Sequence, residues 1–205
     1  MSKDAERIAG LYERKAHAWA QDRSRPGRFF EKGWLDRFLA HARPGGTLLD
    51  LGCGFGKPIA AYLIAQGFDV CGVDSSPTMI ALCAGSFPER RWIVADMRTL
   101  DLGERFAGVV AWDSFFHLTY DDQRRMFPVF KEHAAPGAPL LFTSGPRHGE
   151  AIGELHGEPL YHASLDPHEY RALLADNGFT VVDKRMDDPD CGGHSVWLAR
   201  RDEER

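Results

Sequence analysis

Leu48-Leu49-Asp50-Leu51-Gly52-Cys53-Gly54-Phe55-Gly56 is the stretch on which the fold turns. A short β-rich run, Thr47 to Leu51, stops on three alternating glycines, and a helix-compatible segment follows from Pro58 to Gln66, ended by Gly67. Glycine is required where a ligand must approach the backbone, because any Cβ would stand in its way. A second apolar run, Asp69-Val70-Cys71-Gly72-Val73-Asp74, ends in an acid 22 residues after Gly52. A carboxylate at the C-terminal end of a second strand can bind both hydroxyls of a ribose. Glycines alone make only a tight turn. Joined to a strand, a helix and an acid at this distance, they indicate a nucleoside cofactor. The dinucleotide fingerprint G-x-G-x-x-G fails, because its third glycine position is Lys57, and the phosphate-loop spacing fails at Pro58. Both departures disfavour a pyrophosphate ligand.

Outward from this core, helix and strand alternate. Residues 4–22 place Ile8, Leu11, Tyr12 and Trp19 on one helical face. A second helix is read from Phe29 to Ala42, broken by Pro44-Gly45-Gly46. Ser76-Pro77 opens the helix after the second strand, with Ser76 as N-cap. Trp92 to Ala95, Phe106 to Trp112 and Pro139 to Ser144 read as strands three to five. A helix from Asp121 to His133 precedes strand five, and Pro128 within it predicts a kink or a split. Gly145 to Ala163 reads as a long irregular loop. Asp166-Pro167-His168-Glu169 has the form of a helix start, and that helix ends at Asn177-Gly178. Phe179 to Arg185 and Ser195 to Ala199 close the chain as two strands with no helix between them, hence an antiparallel pair. The alternation implies a mostly parallel sheet covered by helices on both faces.

Length and composition set the outer bounds. The 205 residues suffice for one sizeable core, so a single domain over 1–205 is expected. No apolar run is long enough for a membrane span, and the amino terminus, Met1-Ser2-Lys3-Asp4, lacks the apolar segment of a secretory signal. The four cysteines, Cys53, Cys71, Cys83 and Cys191, form no CxxC pair, which points to a reducing, cytoplasmic setting. A net charge of -5 gives no global attraction to nucleic acid. Cys191 and His194 are too few for a closed zinc site, so no metal is expected there and Gly192-Gly193 reads as a turn.

On these residues the chain resembles the class I S-adenosylmethionine-dependent methyltransferases. Asp50 to Gly56 resembles their glycine motif, Asp74 their ribose-binding acid, Val94-Ala95-Asp96-Met97 the segment after strand three, and Trp112-Asp113-Ser114-Phe115-Phe116-His117 the motif where methionine and acceptor meet. The resemblance spans roughly residues 8 to 200. It implies a Rossmann-like seven-stranded sheet of order 3-2-1-4-5-7-6 with one antiparallel strand. It also implies S-adenosylmethionine as cofactor and S-adenosylhomocysteine as product. Cofactor contacts are then expected from Asp50, Gly52, Cys53, Gly54, Asp74, Ser75, Met79, Asp96, Met97 (through its backbone) and Trp112. Asp96 would meet the adenine amino group, against the competing reading that it caps the turn into Arg98. Met79 and Trp112 are equally of the types that fill a core. Residues 1–43 would form a helical cap, whose Tyr12 and Trp19 could face the sulfonium or pack in the core.

An acceptor must shed a proton to a positioned base. His117 is the first choice, Asp113 the second, and Tyr161 or His162 a third, in a substrate-recognising loop over 145–165. A structural histidine is the competing reading for His117. A small-molecule acceptor is expected, with the protein a monomer or homodimer. Three alternatives stand beside it, one of them an NAD-dependent oxidoreductase, disfavoured by Lys57 at the third-glycine position. An RNA or protein methyltransferase is disfavoured because Asp113-Ser114-Phe115-Phe116 lacks the Pro-Pro-aromatic pattern of nucleic-acid amino-methylating enzymes. A non-catalytic S-adenosylmethionine-binding protein would keep the glycine motif without turnover.

Overall fold

Seven strands form one sheet in the order β3-β2-β1-β4-β5-β9-β8 in the computed structural model, which describes residues 3–25, 27 and 29–203. The central strands are β1 (Thr47–Leu51), β2 (Asp69–Asp74), β3 (Arg91–Val94), β4 (Gly108–Ala111) and β5 (Pro139–Ser144), all parallel. β9 (His194–Arg201) runs antiparallel between β5 and β8 (Phe179–Asp188). With the last two strands counted as six and seven, this is the expected order with one antiparallel strand.

Period-two alternation sends the two faces of each strand into different cores. Leu49, Leu51, Val109, Ala111 and Phe142 face an aromatic core built with Phe127 and Phe130 of α5 (Tyr120–His133) and Tyr170 of α6 (Pro167–Asp176). Trp197 stacks on Phe142 there, rings 5.9 Å apart. Leu48, Val70, Val110 and Leu141 face the opposite side, against Trp34, Leu35 and Phe38 of α2 (Lys32–Leu39) and Ala60 and Leu63 of α3 (Ile59–Ala65). Asp50 shares the face of Leu48, which buries a carboxylate in a central strand. Caps match the residues that announce them. Ser76 Oγ accepts from Met79 N at the start of α4 (Pro77–Ser86), and Asp166 accepts from His168 N at the start of α6.

Three expectations require correction. The stretch from Gly145 to Ala163 is no irregular loop: β6 (Gly149–Leu155) and β7 (Glu158–Ser164) pair as an antiparallel hairpin. Its two-residue turn, His156-Gly157, has positive φ at both positions, the geometry that suits tight hairpins. The helix containing Pro128 does not split. α5 runs unbroken from Tyr120 to His133, its buried Met126, Phe127 and Phe130 holding it on the sheet where the proline costs a backbone bond. The helix expected over 29–42 is shorter. It begins after buried Glu31, whose carbonyl accepts from Trp34 N and Leu35 N, and it leaves Phe30 exposed.

α1 (Lys3–Arg23) crosses the C-terminal ends of the strands. Polar ties hold it on both sides. Glu13 accepts from Ser76 Oγ, Thr78 N and Thr78 Oγ1 at the start of α4, and Arg14 and Lys15 pair with Glu158 of the hairpin.

Candidate active site

Parallel strands leave a crevice at their carboxyl ends, where successive loops diverge. Here α1 roofs that crevice, and the resulting cavity encloses about 1330 Å³ including its open mouth, room for a nucleoside-sized ligand. Its floor is the turn after β1. Gly52 has φ +72°, and its N–H and that of Cys53 donate to Val73 O at 2.7 and 3.1 Å. A Cβ on Gly52 would drive into Ser114 Cβ, so only glycine fits. At Gly54 (φ +54°) a Cβ would meet nothing within 4 Å: the backbone there borders open cavity.

Asp74 closes this turn. Its Oδ2 accepts from Gly54 N and its Oδ1 from Ser76 N, each at 2.9 Å. Burial raises its pKa, with those backbone N–H groups pulling the other way. Ser75 and Cys53 line the same wall. Two buried polar atoms on the cavity wall have no partner among the described residues: Asp50 Oδ2, an acceptor, and Trp112 Nε1, a donor. Burial, reinforced by the nearby charge of Asp74, pushes the Asp50 carboxyl up to about 7. An unpaired buried carboxylate is costly until a cationic partner arrives.

The other expected contacts fall into place unevenly. Met97 lines the cavity, with Cε 3.2 Å from where a Gly52 Cβ would sit. Met79 lines it while packing with Ala16 and Phe55. Tyr12 and Trp19 of α1 both reach the cavity, rings edge to face at 5.8 Å. Asp96 lies on the wall, but its carboxylate caps the turn through Arg98 N and pairs with the Arg98 guanidinium at 2.5 Å. That pairing holds its carboxyl below the ordinary range.

His117 is buried beside Tyr12 and bonded at both ring nitrogens. Nδ1 lies 2.7 Å from Tyr161 O, and Nε2 lies 2.9 Å from Tyr12 Oη. A carbonyl only accepts, so Nδ1 carries the proton and Nε2 accepts from the Tyr12 hydroxyl. Burial lowers His117 to about 4. Burial, with Asp113 and Asp74 nearby, pushes Tyr12 well above the phenol range. The structure does not bring the Tyr161 hydroxyl to this cavity. It donates to Glu150 Oε1 at 2.7 Å within the hairpin, and only its carbonyl serves His117.

Asp113 follows β4 in a left-handed conformation, φ +49°. Its N–H donates to Thr143 Oγ1, and its carboxylate lies 3.0 Å from His194 Nε2. His194, read from the sequence only as part of a turn, is thus a site residue that sequence reasoning missed, because 81 residues separate the pair. His194 Nδ1 donates to Cys191 O at 2.6 Å. With both N–H groups engaged, and Asp113 the main cause, its pKa rises to about 9. The ordinary imidazole value is about 6.5, so this pairing stabilises the fold fully below that value and is lost as pH climbs through about 9. Urea denaturation should show stability falling between pH 7 and pH 10, and His194→Gln should flatten that slope. An equal slope in both proteins would remove the pair as its cause.

All four cysteines are free and buried, and among the described residues no helix is long and apolar enough to cross a membrane.

Comparison with known proteins places this geometry. A model described as a methyltransferase domain matches residues 48–137. Phosphoethanolamine N-methyltransferase 1 of Arabidopsis thaliana is 28% identical over 150 residues, covering 68% of this chain and 30% of that protein. The chain thus spans less than a third of that relative's length. The 1,6-didemethyltoxoflavin-N1-methyltransferase of Burkholderia thailandensis has a TM-score of 0.74 at 21% identity, covering 99% of this chain and 92% of that one. Magnesium protoporphyrin IX methyltransferase of Synechocystis PCC 6803 also has a TM-score of 0.74, at 17% identity and 98% of each chain. At such identities the structural likeness speaks for the fold. The domain match takes in the glycine turn, Asp74 and strands β1 to β4, and the strand order belongs to the same fold: over residues 48–137 the chain matches a methyltransferase domain, and as a whole it shares the fold of these methyltransferases.

Proposed function

We propose that this protein transfers a methyl group from S-adenosylmethionine to a small-molecule acceptor. The observation that carries the reading is the Gly54 turn: open backbone on the cavity, locked to Asp74 by a 2.9 Å bond. The residues present fit the cofactor. Asp74 suits the ribose hydroxyls. Asp50 Oδ2 and Trp112 Nε1, an acceptor and a donor without partners, suit a ligand end that carries both ammonium and carboxylate. Tyr12 and Trp19 offer ring faces to a sulfonium. Met79, Met97, Ser75 and Cys53 complete the wall, and Asp96 can meet the adenine while it holds Arg98.

S-adenosylmethionine supplies a sulfonium-bound methyl, whose C–S bond breaks as the acceptor's lone pair bonds the carbon, leaving S-adenosylhomocysteine. The chain's own residues align the partners, exclude water under α1 and receive the acceptor's proton. His117 Nε2 is the lone pair placed for that proton, directly or through the Tyr12 hydroxyl. Asp113, paired with His194, is the second acidic group at the same end. Residues 1–43 act as the cap and 145–165 as a substrate wall. The two structural relatives, named for 1,6-didemethyltoxoflavin and for magnesium protoporphyrin IX, support a small acceptor. The buried free cysteines support a cytoplasmic setting.

Calorimetry with S-adenosylhomocysteine against NAD tests the cofactor: only the former should bind. Asp74→Ala should weaken that binding by about 1–3 kcal/mol, through loss of charge-assisted bonds to ribose. Unchanged affinity would take Asp74 out of the site. Release of S-adenosylhomocysteine on turnover separates an enzyme from a cofactor-binding protein.

A further inference from the structure

A second cavity opens beside the first, between the end of β5, the hairpin and the Gly192-Gly193 turn. Side-chain pairs form the partition. Asp113 lines the first cavity and His194 the second, 3.0 Å apart. His117 lines the first and His162 the second, with ring centroids 4.8 Å apart. A molecule in the second cavity therefore borders the groups placed to receive a proton.

The walls there favour one kind of molecule. Arg147, His148 and His162 supply cationic or N–H groups, while the N–H groups of His194 are taken by Cys191 O and Asp113. Arg147 has no ion-pair or hydrogen-bond partner among the described residues. Two acidic groups lie at or beside this cavity, and only Glu150 is without a cationic partner. Glu150 accepts the Tyr161 hydroxyl, and the charge of Asp113 is met by His194. Phe116, Pro146, Ala151 and Ala163 supply apolar wall between these groups. An amine or other cation would find no unmatched carboxylate here beyond Glu150. An oxyanion finds a free guanidinium, which binds carboxylates and phosphates in bidentate fashion.

We infer that the second cavity holds the charged end of the methyl acceptor, a small, partly apolar molecule bearing a carboxylate or phosphate that meets Arg147, with its reacting end at the boundary with the first cavity. The inference rests on the methyl-transfer reading for the role of the site, but its chemistry can be tested separately. Anchoring a charged end away from the reacting atom fixes orientation, which is what an in-line displacement needs.

The test uses the full chain, with and without S-adenosylhomocysteine, titrated with benzoate, phenyl phosphate and uncharged phenol while NMR follows the imidazoles of His148 and His162. One or both anions should shift these signals saturably and bind about tenfold or more tightly than phenol, and Arg147→Gln should remove about that factor for the anion alone. The anion that binds more tightly identifies the acceptor's charged group. Equal affinity for phenol and both anions, absence of saturation at these histidines, or an unaffected Arg147→Gln protein would overturn the inference. Failure of S-adenosylhomocysteine to bind would instead sink the methyl-transfer reading, with the anion titration of the ligand-free chain still reporting on the cavity.

Discussion

Gly52→Ala is expected to destabilise the protein by about 2–5 kcal/mol, the sum of a left-handed backbone penalty and forced overpacking. The residue sits at φ +72°, where an L side chain is strained before any contact is counted. Its new Cβ would lie inside 3.0 Å of both Ser114 Cβ and Oγ, with Met97 Cε next at 3.2 Å. Ser114 has no room to yield, because its hydroxyl donates to Leu51 O at 2.7 Å and ties the loop after β4 to the end of β1. Relief must come from the turn itself, whose N–H groups on Gly52 and Cys53 share Val73 O. Shifting it displaces Gly54 from Asp74, so cofactor affinity should fall together with stability. Urea denaturation and calorimetry on one preparation read both. A loss below about 1 kcal/mol would mean that the turn accommodates a side chain and that the tight approach of these two loops has been misjudged.

His117→Ala is expected to slow turnover by about 100-fold or more while S-adenosylhomocysteine still binds. The proton on Nδ1 is held by the Tyr161 carbonyl, which leaves Nε2 as the lone pair facing Tyr12. Because burial lowers the imidazole to about 4, it stays neutral and available across the physiological range. The pH–rate profile should therefore lack an inflection near 6.5 from this group. Tyr12→Phe distinguishes two routes. It keeps the ring at the cavity and removes the hydroxyl that shares Nε2. If the hydroxyl relays the proton, Tyr12→Phe should slow turnover nearly as much as His117→Ala. If the histidine takes the proton directly, Tyr12→Phe should cost far less. A near-normal rate in His117→Ala would make that residue structural, a buried imidazole that only joins α1 to the hairpin.

Much of the site was legible because it is local in the chain. Asp50, Gly52, Gly54 and Asp74 belong to one strand–turn–helix–strand unit, and short-range chemistry dictates it: the glycines tolerate the turn and the acid ends the next strand. The strands themselves follow from apolar runs bounded by turn residues. The hairpin at 149–164 escaped the same logic because most of β6 is exposed, so its residues carry no inside–outside alternation to read. His194 escaped because its meaning lies in Asp113, in the loop after a different strand.

By itself, then, the order of residues determined the sheet's parallel core, the glycine turn with its acid, and the capped starts of α4 and α6. Each is settled by neighbours a few positions away. Only the tertiary structure decided that Tyr12 meets His117, that Tyr161 contributes a carbonyl and keeps its hydroxyl in the hairpin, and that Asp113 is charge-matched across a wall between two cavities. Those contacts join residues 105, 44 and 81 positions apart. Packing of whole elements brings such groups together, and no local propensity encodes which side chain will be waiting.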